Sequence, residues 1–304
     1  MDLFHHVLTD VSQELIRNHI SCLQGVRHPV AAAAALENAG LYVRDTLASH
    51  GYRMREQRFS DQGRTFSNFI GTRDGEISPG RRVLVVAHFD TVAGSPGADD
   101  NASGVAVLLE LARVLGPLRF ESTVQLVGVN REENAELDDI CTATRGSAAL
   151  AKLAREEAWD VEGVVVLESV GYAGDAVIQA APAGMPFPVP EKGDFIAVVG
   201  NERSGGLVRQ FARGIERYRI PLPCLPLVVP GNGELLPDTR RSDHAPFWDR
   251  GFPAIMLTDT TNFRSPHYHG AGDTVETLNL SFASEVCRAT AALVMQLAAV
   301  TGRS

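Results

Sequence analysis

The sequence predicts an α/β fold, a three-layer α/β/α sandwich around a mixed, largely parallel central sheet. Short continuous apolar runs, typical of strands that are covered on both faces, recur along the chain. Segments with the apolar spacing of helices separate these runs. The chain has 304 residues, of which 44% are hydrophobic and 21% charged. That composition is typical of globular proteins, and the length is sufficient to bury a large core.

The first part of the chain predicts two helices followed by strands. Residues 8–24 and 31–49 both show helical spacing of apolar residues, and the second segment ends at His50-Gly51, a typical helix stop. Residues 52–72 alternate more between polar and apolar, which predicts strands interrupted at Asp61-Gln62-Gly63.

From residue 83 onward, apolar strands alternate with helices. The predicted strands are 83–87, 124–129, 164–167, 195–199, 224–229 and 254–257. The predicted helices are 102–114, 146–155, 207–215 and 281–299. This alternation predicts the layered α/β arrangement and resumes after the Pro-rich stretches at 181–190 and 221–230. We therefore expect one domain over residues 1–304, with no inserted lid domain.

The charge and the cysteines exclude several classes of protein. A net charge of −9 without a block of Lys or Arg argues against a nucleic acid or an anionic membrane as partner, and favours cations. The four cysteines form no CxxC pair, so we expect reduced thiols rather than disulfides or a zinc-thiolate site. The segment Met1–His6 lacks the pattern of a signal peptide, and no apolar run approaches the ~18 residues of a membrane span. We expect a cytoplasmic protein.

Residues that commonly bind metals follow several of the predicted strands. Functional groups of α/β sheets gather at the carboxyl ends of the strands. Each of these residues alone has a structural alternative, such as a hydrogen-bonded histidine, a helix N-cap or a solvated carboxylate. Their joint placement predicts a site for zinc or a similar divalent metal. The residues are His88, Asp90, Asp99, Asp100, Glu132, Glu133, Glu168, His267, His269 and Asp273.

The order of these residues resembles the M28 type of co-catalytic zinc aminopeptidases. The family signature is H-x-D, D-N-x-S-G, E-E, D or E, and Y-H. It occurs here as His88-Phe89-Asp90, Asp100-Asn101-Ala102-Ser103-Gly104, Glu132-Glu133, Glu168 and Tyr268-His269. The resemblance covers about residues 25–280, and its most specific block is D-N-x-S-G. It implies the zinc-exopeptidase fold, which is similar to that of phosphorylases and hydrolases.

The resemblance implies two divalent metal ions. Zinc is expected, with manganese or cobalt as alternatives for a site of oxygen and nitrogen ligands. His88, Asp100 and Glu168 would hold one ion, and Asp100, Glu133 and His269 would hold the other. The Asp100 carboxylate would then bridge two ions that lie ~3.5–4 Å apart.

The resemblance also implies catalytic roles. Asp90 would accept the second ring N–H of His88 and so fix its tautomer. Glu132 would be the general base that takes a proton from water and passes it to the leaving amine. Tyr268 would donate a hydrogen bond to the oxyanion, with a purely packing tyrosine as the alternative.

The residues next to these candidates partly depart from the family pattern. Asp99 is expected to cap or support the helix start, and Asp273 to orient His269. Arg131 stands where the family commonly has Gly. An insertion at 134–145 precedes the Gly-Ser helix start and forms either a wall of the substrate pocket or a solvated acidic loop.

The expected substrate is a short peptide or an amino-acid amide with a free α-amine. One alternative keeps the site in a carboxypeptidase or an N-acyl amino acid hydrolase of the related M20 type, with Arg264 or Arg241 binding the carboxylate. A single-zinc transferase resembling glutaminyl cyclases and a non-enzymatic binding module are further alternatives. The sequence leaves a homo-oligomer open.

Overall fold

The computed structural model describes residues 3–133, 145–185 and 188–303. The helices in this part are α1 (Leu3–Asp10), α2 (Gln13–Leu23), α3 (Ala33–Ser49), α4 (Gly104–Leu115), α5 (Arg145–Glu156), α6 (Gly205–Tyr218), α7 (Ala245–Asp249) and α8 (Leu280–Leu297). The strands are β1 (Arg53–Asp61), β2 (Arg64–Arg73), β3 (Ser78–His88), β4 (Leu118–Phe120), β5 (Ser122–Val129), β6 (Asp160–Glu168), β7 (Ile196–Asn201), β8 (Cys224–Val229), β9 (Ala254–Thr258) and β10 (Val300–Arg303).

A mixed eight-stranded sheet in the order β1-β2-β5-β3-β6-β9-β7-β8 forms the centre of the fold. The four middle strands β5, β3, β6 and β9 are parallel to one another. The β1–β2 hairpin joins β5 in antiparallel fashion, and β7 is antiparallel to β9. The carboxyl ends of the four middle strands therefore meet at one edge of the sheet, where ligands bind in α/β folds.

The sheet is buried on both faces, as the apolar runs predicted. Val83 and Val85 of β3 belong to the core on one face, which includes residues of α1–α4, α6 and α8. Leu84 and Val86 belong to the core on the other face, with residues of α5 and α7. This alternation confirms the α/β/α sandwich around a mixed sheet.

Two details of the predicted elements differ from the structure. The segment 8–24, predicted as one helix, is divided between α1 and α2. Ser12 caps α2 because its Oγ accepts a hydrogen bond from the Leu15 amide at 3.3 Å, and its own amide donates to Glu110 Oε1 at 2.6 Å. The short pair β4–β10 was not predicted, since three or four residues carry too little periodicity to be recognised.

The remaining expectations concern thiols, membrane spans and the insertion. Cys22, Cys224 and Cys287 are free thiols, as predicted, whereas Cys141 lies outside the described residues. In the described ranges, every helix is too short or too polar to cross a membrane. Of the insertion at 134–145, only Arg145 is described, so the prediction of a pocket wall or an acidic loop there falls on residues outside the described part.

Candidate metal centre

The loops that follow the parallel strands bring the predicted ligands together. His88 and Glu168 are the last residues of β3 and β6, and Glu133 lies four residues beyond the end of β5. Asp100 comes from the turn before α4, and His269 from the loop after β9. Residues separated by up to 181 positions thus meet at the edge where the strands end.

One cluster forms around His88. Its Nε2 atom lies 3.3 Å from Asp100 Oδ1 and 3.4 Å from Glu168 Oε2. Ser242 Oγ donates a hydrogen bond of 2.6 Å to the same Glu168 oxygen and so fixes the carboxylate. Sequence reasoning had not assigned Ser242 this contact.

A second cluster forms around His269. Its Nε2 atom lies 3.2 Å from Asp100 Oδ2 and 3.1 Å from Glu133 Oε1. Asp100 therefore presents a different carboxylate oxygen to each histidine. That is the arrangement of a carboxylate that bridges two ions.

Both clusters fit a divalent cation. Ligands about 2.0–2.1 Å from a tetrahedral zinc ion lie about 3.3 Å from one another, close to the observed separations. The buried atoms His88 Nε2, Asp100 Oδ1 and Glu133 Oε1 have no hydrogen-bond partner. Buried polar atoms without partners are costly, and a cation would satisfy all three. The carboxylate and imidazole donors suit zinc, manganese or cobalt.

The ionisable groups of the clusters influence one another strongly. Burial opposes ionisation of Asp100, but the neighbouring imidazoles of His269 and His88 hold its pKa well below the usual range. Burial and the charge of Asp100 raise the pKa of Glu133 to about 7. Burial alone would lower the pKa of His269, but Asp100 and Glu133 raise it to about 10. A cation would therefore replace protons held between these groups, and metal binding would release protons.

Asp90 contacts both His88 and the backbone of the Glu pair. Its Oδ1 lies 3.5 Å from His88 Nδ1, which is long for a hydrogen bond. The same oxygen accepts from the Glu132 amide at 3.1 Å, and Oδ2 accepts from the Glu133 amide at 3.0 Å. The sequence predicted that Asp90 lies next to His88. It did not predict the shorter hydrogen bonds that Asp90 accepts from the backbone of Glu132 and Glu133.

The prediction that Asp273 orients His269 is wrong. Its carboxylate oxygens accept hydrogen bonds from the amides of Asp99 at 2.7 Å and Asp100 at 3.2 Å. The turn after His269, closed by a bond from the Asp273 amide to the Gly270 carbonyl, brings Asp273 against the start of α4. Asp273 thus holds the backbone of the bridging residue.

Asp99 supports the same turn. Its Oδ1 accepts a hydrogen bond from the Gly171 amide at 2.9 Å, and burial beside Asp259 raises its pKa well above the usual value. The helix start also needs a glycine, because a Cβ on Gly104 would lie 2.3 Å from Asn101 Oδ1 and 2.8 Å from the Leu167 carbonyl oxygen. The D-N-x-S-G block therefore combines one candidate ligand with the packing that positions it.

Glu132 and Tyr268 line a pocket together with Asp100 and Glu168. Burial is the main cause that raises the pKa of Glu132 well above its usual value. The Tyr268 ring stacks on His269 with the ring centres 3.8 Å apart, and its Oη accepts a hydrogen bond from Arg241 Nη2 at 3.3 Å. Burial raises the pKa of Tyr268, so its phenol stays protonated and has a proton to donate.

The far wall of this pocket is apolar and lies against β7, β8 and β9. The cavity has a volume of about 100 Å³. Among its lining residues are Met185, Val189, Phe195, Val199, Leu227 and Met256. Arg241 also lines the pocket, whereas Arg264 is buried, packs over the Phe195 ring and donates to the Gln179 side chain and the Phe195 carbonyl. Of the two arginines considered for binding a carboxylate, only Arg241 is placed to do so.

Comparison with known proteins identifies the family and agrees with the fold. The sequence profile described as "Peptidase family M28" matches residues 68–205 and 227–294, which is more than half of the chain. The chain belongs to peptidase family M28. The match includes His88, Asp100, Glu133 and Glu168 together with His269.

Relatives of this M28 chain occur in bacteria and fungi. "Uncharacterized protein YfbL" of Escherichia coli is 31% identical over 297 residues, which cover 90% of this chain and 85% of that protein. A "Probable zinc metalloprotease" of Pyrenophora tritici-repentis is 28% identical over 261 residues, which cover 77% of this chain and 52% of that protein. The chain thus spans about half the length of this fungal relative.

Solved structures share the fold of this M28 chain. The LapA aminopeptidase of Legionella pneumophila superposes with a TM-score of 0.74 and 19% identity, covering 97% of this chain and 74% of that one. The glutaminyl cyclase of Porphyromonas gingivalis superposes with a TM-score of 0.72 and 19% identity, covering 94% and 97%. At these identities the likeness establishes the fold alone.

Proposed function

We propose that the protein is a two-metal aminopeptidase, which removes the N-terminal residue from short peptides or amino-acid amides. The observation that carries the proposal is Asp100, whose two oxygens face two histidine–carboxylate clusters. Membership of peptidase family M28 supports hydrolysis of peptide bonds. Zinc is the expected metal because the donor set suits it and a fungal relative is named a zinc metalloprotease.

The mechanism assigns one task to each residue around the clusters. Zinc ions held by the two clusters would supply Lewis-acid chemistry at the scissile carbonyl and at the attacking water. Glu132, beside the clusters in the same pocket, takes a proton from the attacking water and delivers it to the leaving amine. Tyr268 donates a hydrogen bond from its phenol to the carbonyl oxygen as negative charge develops there. Asp90 holds the backbone of Glu132 in place.

Residues 1–304 are proposed to form one domain without an inserted lid. The span between Glu168 and His269 contains β7, β8 and β9, and all three strands extend the central sheet. In the described part of this span, the strands and α6 pack into the same two cores as the rest of the fold.

Acetylating the α-amine of a good substrate should lower kcat/KM by about 10²-fold, the scale expected when a reacting bond is misplaced by ~1 Å. The pocket gathers the carboxylates Asp100, Glu132 and Glu168, which favour a free amine and disfavour an acyl group. Amidating the far carboxylate should have little effect. For the test, zinc is titrated into the protein after its metal has been removed with a chelator. The value of kcat/KM is then measured for the free, N-acetylated and C-amidated forms of one peptide and for N-acyl amino acids.

The opposite substrate pattern would reject the aminopeptidase proposal. Tolerance of an N-acyl group together with dependence on a free carboxylate would indicate a carboxypeptidase or acylase. Arg241 would then be the carboxylate-binding residue, because it lines the pocket and its side chain is 41% exposed. The Arg241→Ala variant separates the cases, since only the second predicts a large rise in KM for substrates with a free carboxylate.

Substrates with a large apolar N-terminal side chain should be preferred. We expect kcat/KM for a leucine arylamide to exceed that for a glycine arylamide by about 10-fold or more, since each apolar methylene contributes ~1–3 kcal/mol in a fitting pocket. The apolar wall that contains Val199, Leu227 and Met256 is the reason. A glutamate arylamide should be the poorest of the three. Equal rates for all three would contradict the assignment of this pocket to the N-terminal side chain.

A further inference from the structure

We propose that Asp61, the last residue of β1, is a positioning residue that holds the Glu132–Glu133 pair through Arg131. The proposal rests on the function proposed above for this pair. Asp61 lies in the sequence 70 residues before Arg131, and β1 contributes none of the candidate metal ligands. The contact between Asp61 and Arg131 therefore links the β1–β2 hairpin to the candidate metal centre.

A single buried carboxylate binds two arginines. Asp61 Oδ2 accepts a hydrogen bond from Arg131 Nε at 2.8 Å and also lies 2.8 Å from Arg131 Nη2, while Asp61 Oδ1 lies 2.8 Å from Arg145 Nε. The side chains of Asp61, Arg131 and Arg145 are 8%, 2% and 15% exposed. Buried pairs of this kind are screened little by solvent, and loss of one partner is costly.

The backbone of Arg131 explains why an anchor is needed. Arg131 has φ +64°, in the left-handed region that residues other than glycine rarely adopt. Glycine would adopt this conformation freely, because it has no Cβ. Here the guanidinium is held by Asp61 and also lies over the Phe66 ring, 5.2 Å from its centre. The hairpin thus stabilises the turn that leads into Glu132.

The β1–β2 hairpin also makes hydrogen bonds to Asn130 and Gly146, the sequence neighbours of Arg131 and Arg145. Asn68 of β2 accepts a hydrogen bond from the Asn130 amide at 3.1 Å and donates one to the Gly146 carbonyl at 2.8 Å. The Arg145 amide donates to the Arg131 carbonyl at 3.0 Å. Residues 130–131 and 145–146 are therefore tied to each other and to the hairpin.

The Glu pair is consequently held from two sides. Asp90 accepts the amides of Glu132 and Glu133 from the side of β3, and Asp61 anchors the preceding residue from the side of the hairpin. Without the Asp61 charge, the buried Arg131 guanidinium would be drawn toward water and the turn would relax. A shift of the base or the ligand by ~1 Å is enough to cost about 10²-fold in rate.

The test begins with Asp61→Asn in the full, zinc-loaded protein. We expect kcat to fall by about 10-fold to 10²-fold with KM little changed, because positioning rather than substrate binding is affected. Hydrogen exchange of the Glu132 and Glu133 amides should become at least about 10-fold faster, in zinc-loaded and in metal-free protein, because their hydrogen bonds to Asp90 open more readily.

Glu110→Gln is the matched control. Glu110 is another buried carboxylate that pairs with an arginine, Arg113, at 2.7 Å, and it lies outside the pocket. Its loss should lower the melting temperature and leave kcat and the exchange of the Glu132 and Glu133 amides unchanged. If Asp61→Asn behaved like this control, Asp61 would be merely structural and the proposal overturned.

The double variant Asp61→Asn, Arg131→Gly provides a rescue. It removes the unpaired guanidinium and places at position 131 a residue that adopts the left-handed conformation freely. We expect kcat and amide exchange within about 3-fold of the original protein, since the strain at position 131 and the buried Arg131 guanidinium are both gone. A double variant as slow as Asp61→Asn would overturn the proposal. Because amide exchange is read without turnover, failure of the aminopeptidase proposal would leave this result interpretable.

Discussion

The Asp100→Ala variant should lose all peptidase activity and the binding of both zinc ions. Asp100 is the residue shared by the two ligand groups found in the described part of the chain, with one oxygen near His88 and the other near His269. Removing it would take one candidate ligand from each cluster and also the negative charge that is proposed to lie between two cations. Zinc per chain after dialysis at a fixed free-zinc concentration, together with hydrolysis of a leucine arylamide, measures both losses.

Asp99→Asn is the control for the Asp100 experiment. Burial raises the pKa of the Asp99 carboxyl well above its usual value. The carboxyl accepts a hydrogen bond from the Gly171 amide, and the side-chain carbonyl of asparagine can accept the same bond. We expect two zinc ions and near-normal activity in this variant. Near-normal turnover in Asp100→Ala would contradict the two-metal proposal. A single zinc ion per chain in the unaltered protein, at saturation, would favour a single-zinc transferase instead.

Glu132→Gln should retain both zinc ions while kcat falls by about 10²–10⁴-fold, the range expected for loss of a general base. Glu132 belongs to neither ligand group, yet it lines the pocket beside Asp100 and Glu168. Glutamine preserves the size of the side chain and its backbone bond to Asp90 but cannot accept a proton from water. Steady-state kinetics and zinc content of the same preparation provide the test.

The neighbouring variant Glu133→Gln should behave differently. Glu133 Oε1 lies 3.1 Å from His269 Nε2 in the second cluster, so this variant should lose zinc there and retain the ion at His88. If Glu132→Gln lost zinc and Glu133→Gln retained it, the roles of the two residues would be reversed. Each of the two variants therefore serves as the matched control for the other.

The candidate ligands could be placed from the sequence because parallel strands determine where their ends lie. The apolar run ending at His88 and the run ending at Glu168 become neighbouring parallel strands, so both residues reach the same edge. The D-N-x-S-G block at Asp100 added a local pattern that is specific on its own. These signals are either short in range or follow from sheet geometry.

The missed contacts depend on pairings that no local pattern reveals. The sequence predicts a break between strands at Asp61 and gives Arg131 no partner. The pairing of the β1–β2 hairpin with β5 brings the two side chains together. Asp273 was assigned to His269 by proximity in sequence, whereas the turn at Gly270 directs it to Asp100. The break between α1 and α2 is set by Ser12 and a distant partner, Glu110, rather than by apolar periodicity.

The reversed direction of β7 provides a place at which the purified protein could be tethered for experiments. Because β7 is antiparallel to β9, its last residue, Asn201, lies at the edge of the sheet opposite the metal centre. Glu202 and Arg203, which follow, are exposed. A cysteine introduced at position 202 could carry a fluorophore or a tether to a bead, and the pocket mouth of the immobilised protein would then face the solution.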